Sequence, residues 1–370
     1  MSLVYMTGER SFAAGVCVLI SAVALAAGCG DSPQDQSGGF EVYPPEDPVE
    51  LAGRQFGVNP SESVEGFEAS FQVAQQAEID VVEVVLSWDA VETSPGEYQD
   101  PGGVLAAITY YGWYDVDVLL TLAVVNTVDR TTPEWLDSLA FDDPELVSSF
   151  CEMCDWVLDQ VPANVTLAGL SVGNEIDLAL PDAEWNGYIS FFGQAADHIH
   201  QNYPQLAVGG KCTVMEGVIG GDLAWVTQLN THSDVVMLNY YPQNAAFEVL
   251  QPSDVHGHFD AVVSAFSGRE IWLTELGYQS GSQYCGSSQE MQAEFYHEMF
   301  SAWDDHADEI GLVLVDWLHD QSPEQIEEWL EYYGSSDPAF VEFLSTLGLR
   351  NYDATDKYAW QQVLAEVDAR

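Results

Sequence analysis

Residues 166–175 read TLAGLSVGNE. An apolar, β-branched run with small residues and no charge before its last position is what a strand buried on both faces looks like. The run then turns abruptly polar at Asn174 and Glu175. Working outward, seven further runs share this character: Gln55–Asn59, Val81–Trp88, Val116–Val125, Leu206–Val214, Val235–Tyr241, Ile271–Gly277 and Gly311–Leu318. Amphipathic, helix-length segments separate them, among them Pro144–Val161, Trp185–Asn202 and Ser288–His306, and Asp353–Val367 reads as the last helix. Eight buried strands alternating with helices over residues 51–370 predict an α/β fold, a single-domain (β/α)₈ TIM barrel. The chain shows no internal repeat and no linker to a second domain.

In such a barrel the C-terminal ends of the strands form the rim on which sites are built. Polar and aromatic residues recur there: Trp88 ends the second run, Asn174-Glu175 the fourth, Tyr240-Tyr241 the sixth, Glu275 the seventh and Trp317 the eighth. The fourth and seventh strands lie on roughly opposite sides of an eight-stranded ring, so Glu175 and Glu275 are expected to face each other across its mouth. Two carboxyl groups in that arrangement are what glycosidic bond cleavage needs: one protonates the leaving oxygen, the other attacks the anomeric carbon or activates water. Asn174 is placed to bind a sugar hydroxyl, and Trp88 and Trp317 to stack on a sugar ring. Asn126 and Arg130 follow the third strand, in a loop expected either to line the cleft or to serve structure. Asp316 and His319 flank Trp317, and Asp177 sits two residues past Glu175. The paired carboxylates need no cofactor. The eight histidines form no metal cluster, and His256-Gly257-His258 is a lone pair in a loop.

These motifs resemble clan A of the glycoside hydrolases, where Asn-Glu ends strand four and Glu ends strand seven. The segment VGNEIDLAL (172–180) is similar to family 53, the endo-β-1,4-galactanases. Asn239-Tyr240-Tyr241-Pro242 is similar to that family's strand-six Ser-Tyr-Tyr-Pro, and Thr274-Glu275-Leu276-Gly277-Tyr278 to its nucleophile segment. The resemblance covers residues 54–320. It implies a retaining glycoside hydrolase acting on β-glycosidic bonds of a poly- or oligosaccharide, with Glu175 as acid/base, Glu275 as nucleophile and Tyr241, or its neighbour Tyr240, hydrogen-bonded to the nucleophile. Clan members commonly place an arginine near the end of strand two, supporting the nucleophile. VVEVVLSW (81–88) has none, and carries Glu83 instead. That departure leaves a non-catalytic carbohydrate-binding protein as an alternative. A transglycosylase would use the same carboxylates.

Composition narrows the partners. The 370 residues hold 60 acidic and 8 basic side chains, a net charge of −52, with Lys211 and Lys357 the only lysines. No basic patch can be assembled, which excludes nucleic acid as a partner. So strong a self-repulsion points to a salt-rich setting or to bound divalent cations. Aromatic residues make up 12% of the chain, ample for a core and for sugar stacking. A monomer is expected.

Arg10 precedes an apolar, small-residue run ending in Leu25-Ala26-Ala27-Gly28-Cys29. Residues 1–28 read as a lipoprotein signal peptide, with Cys29 the lipidated residue, implying export and attachment to the cell envelope by a lipid anchor alone. Residues 29–50, rich in Gly, Pro, Ser and acids, read as a tether. Cys151, Cys154, Cys212 and Cys285 are expected as disulfides or free thiols rather than a zinc site.

Overall fold

A computed structural model describes residues 40–370. The expected signal peptide, Cys29 and the first part of the expected tether lie outside the described residues. Eight parallel strands follow in chain order: β1 (Gln55–Val58), β2 (Val81–Ser87), β3 (Asp117–Asn126), β4 (Leu167–Asn174), β5 (Val208–Gly209 continued by Lys211–Thr213), β6 (Val236–Tyr240), β7 (Ile271–Leu276) and β8 (Ile310–Val315). Each pairs with its neighbours in sequence, and β8 pairs with β1. The ring closes through the fifth strand, whose first half pairs with β4 and second half with β6. The chain therefore forms a nearly closed (β/α)₈ barrel of nine parallel segments.

Why these residues make strands is visible in their burial. β2, β3, β6 and β8 are almost wholly buried because helices cover one face and the lumen fills the other. Alternation then chooses which side chains enter the lumen. Its lower layer is apolar: Val81, Leu119, Met237, Trp272, Leu312 and Leu314 pack together. Gly169 admits the Trp272 ring, since a Cβ there would lie 2.7 Å from it. Two residues further along their strands, the same alternation brings Glu83, Thr121 and Lys211 inward. All three are buried, so a polar layer lies directly beneath the mouth.

Around the barrel run α1 (Phe67–Ala74), α2 (Pro144–Gln160), α3 (Trp185–Asn202), α4 (Leu223–Leu229), α5 (Asp254–Ala265) and α6 (Gln289–Asp305). After β8 come α7 (Pro323–Tyr332), α8 (Pro338–Thr346) and α9 (Tyr358–Asp368). Local chemistry sets several starts. Asp143, Ser322 and Asp337 each accept a hydrogen bond from a first-turn N–H, and each is followed by proline at the first helical position. α9 takes the place expected for the last barrel helix. α7 and α8 are an addition to the barrel plan; neither was expected from the sequence.

Residues 40–50, expected to be the second half of the tether, lie against the barrel wall. Phe40 stacks on Tyr358 with ring centroids 4.6 Å apart, and Tyr43 exchanges backbone hydrogen bonds with the Gln362 amide at 2.8 and 2.9 Å. Cys151, Cys154, Cys212 and Cys285 are free thiols.

None of the basic residues among the described residues is exposed. Arg54 and Arg370 are ion-paired to Asp304, and Lys357 to Asp320, so these cations cannot offset the acidic surface. Salt has to do that. Raising KCl from 0.1 to 1 M shortens the screening length from about 10 to about 3 Å. The thermal unfolding midpoint is expected to rise across that series; a falling midpoint would refute the self-repulsion argument.

Candidate active site

A cavity of about 400 Å³ opens at the C-terminal mouth of the barrel, and both Glu175 and Glu275 line it. Glu275 is carried within the last turn of β7, whereas Glu175 sits just past β4 at φ 47°, ψ 50°. That left-handed conformation costs a non-glycine residue roughly 1–2 kcal/mol, and such strain persists where the surroundings over-determine it. Here it turns the carboxyl into the cavity as the strand gives way to the helical turn Ile176–Ala179.

The two glutamates occupy different electrostatic settings. Glu175 is half-buried, and Asn239 Nδ2 donates to its Oε1 at 3.5 Å. Burial, and after it the negative charge of Glu275, push its pKa up to about 8. Glu275 instead is held by two donors: Lys211 Nζ donates to Oε1 at 3.1 Å and Tyr241 Oη donates to Oε2 at 3.1 Å. Lys211 also donates to Glu83, which accepts in addition from Thr121 Oγ1 at 2.7 Å. Burial alone would push the Lys211 ammonium down, but the two carboxylates bracketing it more than offset that and its pKa lies above the usual lysine value. One carboxyl is therefore kept as an acid while the other is gripped by a cation and a hydroxyl, the contrast in environment that paired-carboxylate chemistry requires.

Lys211 answers the missing arginine. The supporting cation enters from β5 rather than from the end of β2, and Glu83, the third residue of β2, is its counter-ion. The signal was a lone lysine two residues past Gly209 inside an apolar run, in a chain with only two lysines.

The other predicted residues divide clearly. Tyr241, not Tyr240, reaches Glu275; Tyr240 is fully buried and hydrogen-bonds His258 Nδ1 at 2.8 Å. Trp317 lines the cavity and stacks on Trp329, with centroids 4.7 Å apart. Asp316 lines it too. Burial, and then repulsion from Glu275, raise its pKa well above the usual carboxylate range, while Asn59 Nδ2 donates to it at 2.7 Å.

Three expected substrate contacts, Trp88, Asn126 and Asn174, do not line the cavity. Trp88 is wholly buried among core side chains, edge-on to Phe150, and its indole N–H donates to Glu92 at 2.8 Å. The chain turns into a helix at Trp88 and carries the ring outward under α2, away from the mouth. Asn126 is also fully buried; its Oδ1 accepts from Asn174 Nδ2 at 3.0 Å. Asn174, 1% exposed, in turn accepts from Asn239 Nδ2 at 3.2 Å, and it is Asn239 that faces the cavity. Strand periodicity could not show that the two expected amides back a third. Asp177 accepts from the backbone N–H of Thr213 at 2.8 Å, tying the β4 and β5 ends together. Arg130 lies over Phe141 and donates to Leu139 O, and His319 is buried against Ser61 and Arg350, so both serve structure.

No family model matches the chain, and no curated protein matches it. Solved structures share its fold. The exo-beta-1,4-mannosidase of Opitutaceae bacterium strain TAV5 superposes with a TM-score of 0.66 at 17% identity, over 85% of this chain and 59% of that one. GH5_18 from Streptomyces cattleya, in complex with GlcNAc, gives 0.66 at 19% identity, over 89% of this chain and 81% of that one. A family 39 glycoside hydrolase from Bacteroides cellulosilyticus gives 0.58 at 14% identity, over 86% and 65%. At these identities the likeness establishes the barrel fold.

Proposed function

We propose that this protein is a retaining glycoside hydrolase acting on β-glycosidic bonds of a poly- or oligosaccharide. The observation that carries the reading is the pair of glutamates on one cavity, Glu175 held as an acid by burial and Glu275 hydrogen-bonded by Lys211 and Tyr241. In the first step a Glu275 oxygen bonds to the anomeric carbon while the bond to the leaving oxygen breaks, and Glu175 gives that oxygen its proton. In the second, Glu175 takes a proton from water, the water oxygen bonds to the anomeric carbon, and Glu275 departs. One water is consumed and both glutamates return to their starting states. The support that Lys211 gives Glu275 favours catalysis over a non-catalytic sugar binder. The family-53-like motifs favour β-1,4-galactan. Fold neighbours described as a mannosidase add β-mannosides to the substrates worth assaying.

A panel assay tests this: β-1,4-galactan, mannan and glucan, with the matching 4-nitrophenyl β-glycosides, in moderate salt. Release of sugar is expected from at least one; no release from any would defeat the hydrolase reading. Because Glu175 holds its proton only below about pH 8, activity is expected to fall as the pH rises through that value. Glu175→Gln is expected to lower turnover of unactivated glycosides by about 10²–10⁴-fold, the usual range for a general acid. Nitrophenyl substrates need no proton on leaving, so their first step should be largely spared and the alkaline limb lost. An unchanged limb in the variant would remove Glu175 from the acid role.

Export and anchoring through Cys29 belong to the same proposal. Cys29→Ser is expected to shift the protein from the membrane fraction to the soluble one. Continued sedimentation with membranes would refute the lipid anchor.

A further inference from the structure

The helices added after β8 decide which way the cavity opens. α7 leaves β8 and crosses the mouth on the β1–β2 side, because its last residue, Tyr332, donates to the backbone oxygen of Asn126 at the end of β3, at 2.8 Å. α8 then turns back. Its Phe340 and Phe343 pack against Phe247 in the loop after β6, and Glu342 accepts the backbone N–H groups of Gln283, Tyr284 and Cys285 in the loop after β7, at 2.6–2.9 Å. Lys357 ties down the end of α8, donating to Thr346 O at 3.0 Å and to the buried Asp320. The cover is thus fastened to the loops after β3, β6 and β7.

Beneath it, the stacked indoles of Trp317 and Trp329 form a partition. Both rings line the cavity that holds the glutamates, and both also line a separate small hollow above β1 and β2 that reaches Asn59 and Glu83. Without the stack these would be one groove running across the mouth; with it, the catalytic cavity is blind on the β1–β2 side. The wall beneath the cover is buried, while exposed lining residues stand after β3, β4 and β5 and, at Asn244 and Ala245, after β6. The wall formed by Trp317, Trp329, Phe340, Phe343 and Leu344 is at most 9% exposed. On the opposite side, Val128 after β3 and Leu178 after β4 are 52% and 41% exposed, and Glu216 after β5 is exposed as well.

The acid stands on the open side, at the end of β4, and the nucleophile stands against the closed side, beside Tyr241, Asp316 and Trp317. The leaving group must lie next to the acid and the sugar being transferred must lie over the nucleophile. We propose that the protein is exo-acting: the transferred sugar sits in the enclosed end, where there is no room for a further residue beyond it, and the remainder of the chain leaves through the β3–β5 side. It removes single terminal sugars from the non-reducing end of a β-linked oligosaccharide, rather than cutting within a polysaccharide.

This inference rests on the hydrolase reading, and one experiment separates the two. Wild-type protein is incubated with β-1,4-linked hexaoses of galactose, mannose and glucose, and with the same chains carrying a 4,6-O-benzylidene cap on the non-reducing terminal sugar. Products are followed by length from the earliest time points. The expected result is monosaccharide as the only early small product, with the pentaose as its partner, and complete loss of cleavage on the capped chain. Early disaccharides or trisaccharides, or cleavage of the capped chain, would overturn exo action while leaving a hydrolase. Failure to cleave any hexaose or any 4-nitrophenyl β-glycoside would overturn the hydrolase reading and this inference with it.

Discussion

Glu275→Ala is expected to reduce turnover by on the order of 10⁵–10⁶-fold, the scale on which removal of a covalent nucleophile is felt. The variant should fold. Lys211 keeps Glu83 as its counter-ion, and Tyr241 keeps a second contact, to Asp316 at 3.4 Å. Loss of activity can therefore be assigned to chemistry once circular dichroism matches the wild type. A small anion gives the sharper test. Azide can enter the space left by the carboxylate and attack the anomeric carbon from the same face, expelling nitrophenolate and leaving a glycosyl azide of the opposite anomeric configuration. Recovery of turnover with azide, and that product, are the expected findings. Turnover within about tenfold of wild type without azide would show that Glu275 is not the nucleophile.

Lys211→Met should have the largest effect on stability. It would leave Glu83 and Glu275 facing each other in a buried layer with no cation between them, and breaking a buried ion pair from one side costs about 3–5 kcal/mol. Denaturant unfolding would read that loss directly. Lys211→Met combined with Glu83→Leu removes both buried charges, and most of the stability should return because an apolar replacement of a buried pair is often neutral. Activity should not return. A hydrogen bond to a charged group contributes about 1.5–3 kcal/mol, so the double variant is expected to lose about 10–100-fold in kcat/KM. A single variant as stable as wild type, or a double variant as active as wild type, would sink the assignment of Lys211 as the support of the nucleophile.

Much of this site was legible before any coordinates. Buried parallel strands have to be apolar on both faces, so the eight strands announced themselves as continuous runs, and Glu175 and Glu275 stood out because each ends one. The fifth strand shows where that reading stops: Leu206–Val214 reads as one run, yet it pairs as two halves on either side of Gly210. Trp88 and Asn126 also end strands, and yet are buried away from the cavity. Proximity to the rim does not say whether the chain turns inward or outward in the next residue, and that depends on what packs there. α7 and α8 stayed hidden for a related reason. An amphipathic helix reveals that it has a covered face but not what covers it.

Sequence alone therefore determined the strand count, the rim, and the two carboxylates whose chemistry points to glycosidic bonds, because each is written in local periodicity and residue type. Tertiary structure decided that Tyr241 rather than Tyr240 meets Glu275, that the cation beside it is Lys211, and that α7 covers the mouth on the β1–β2 side. The Lys211 contacts join positions 64 and 128 residues apart in the chain. Such pairs form only when the ring closes and brings distant strands to one lumen, and no local pattern records which partner the closure will supply.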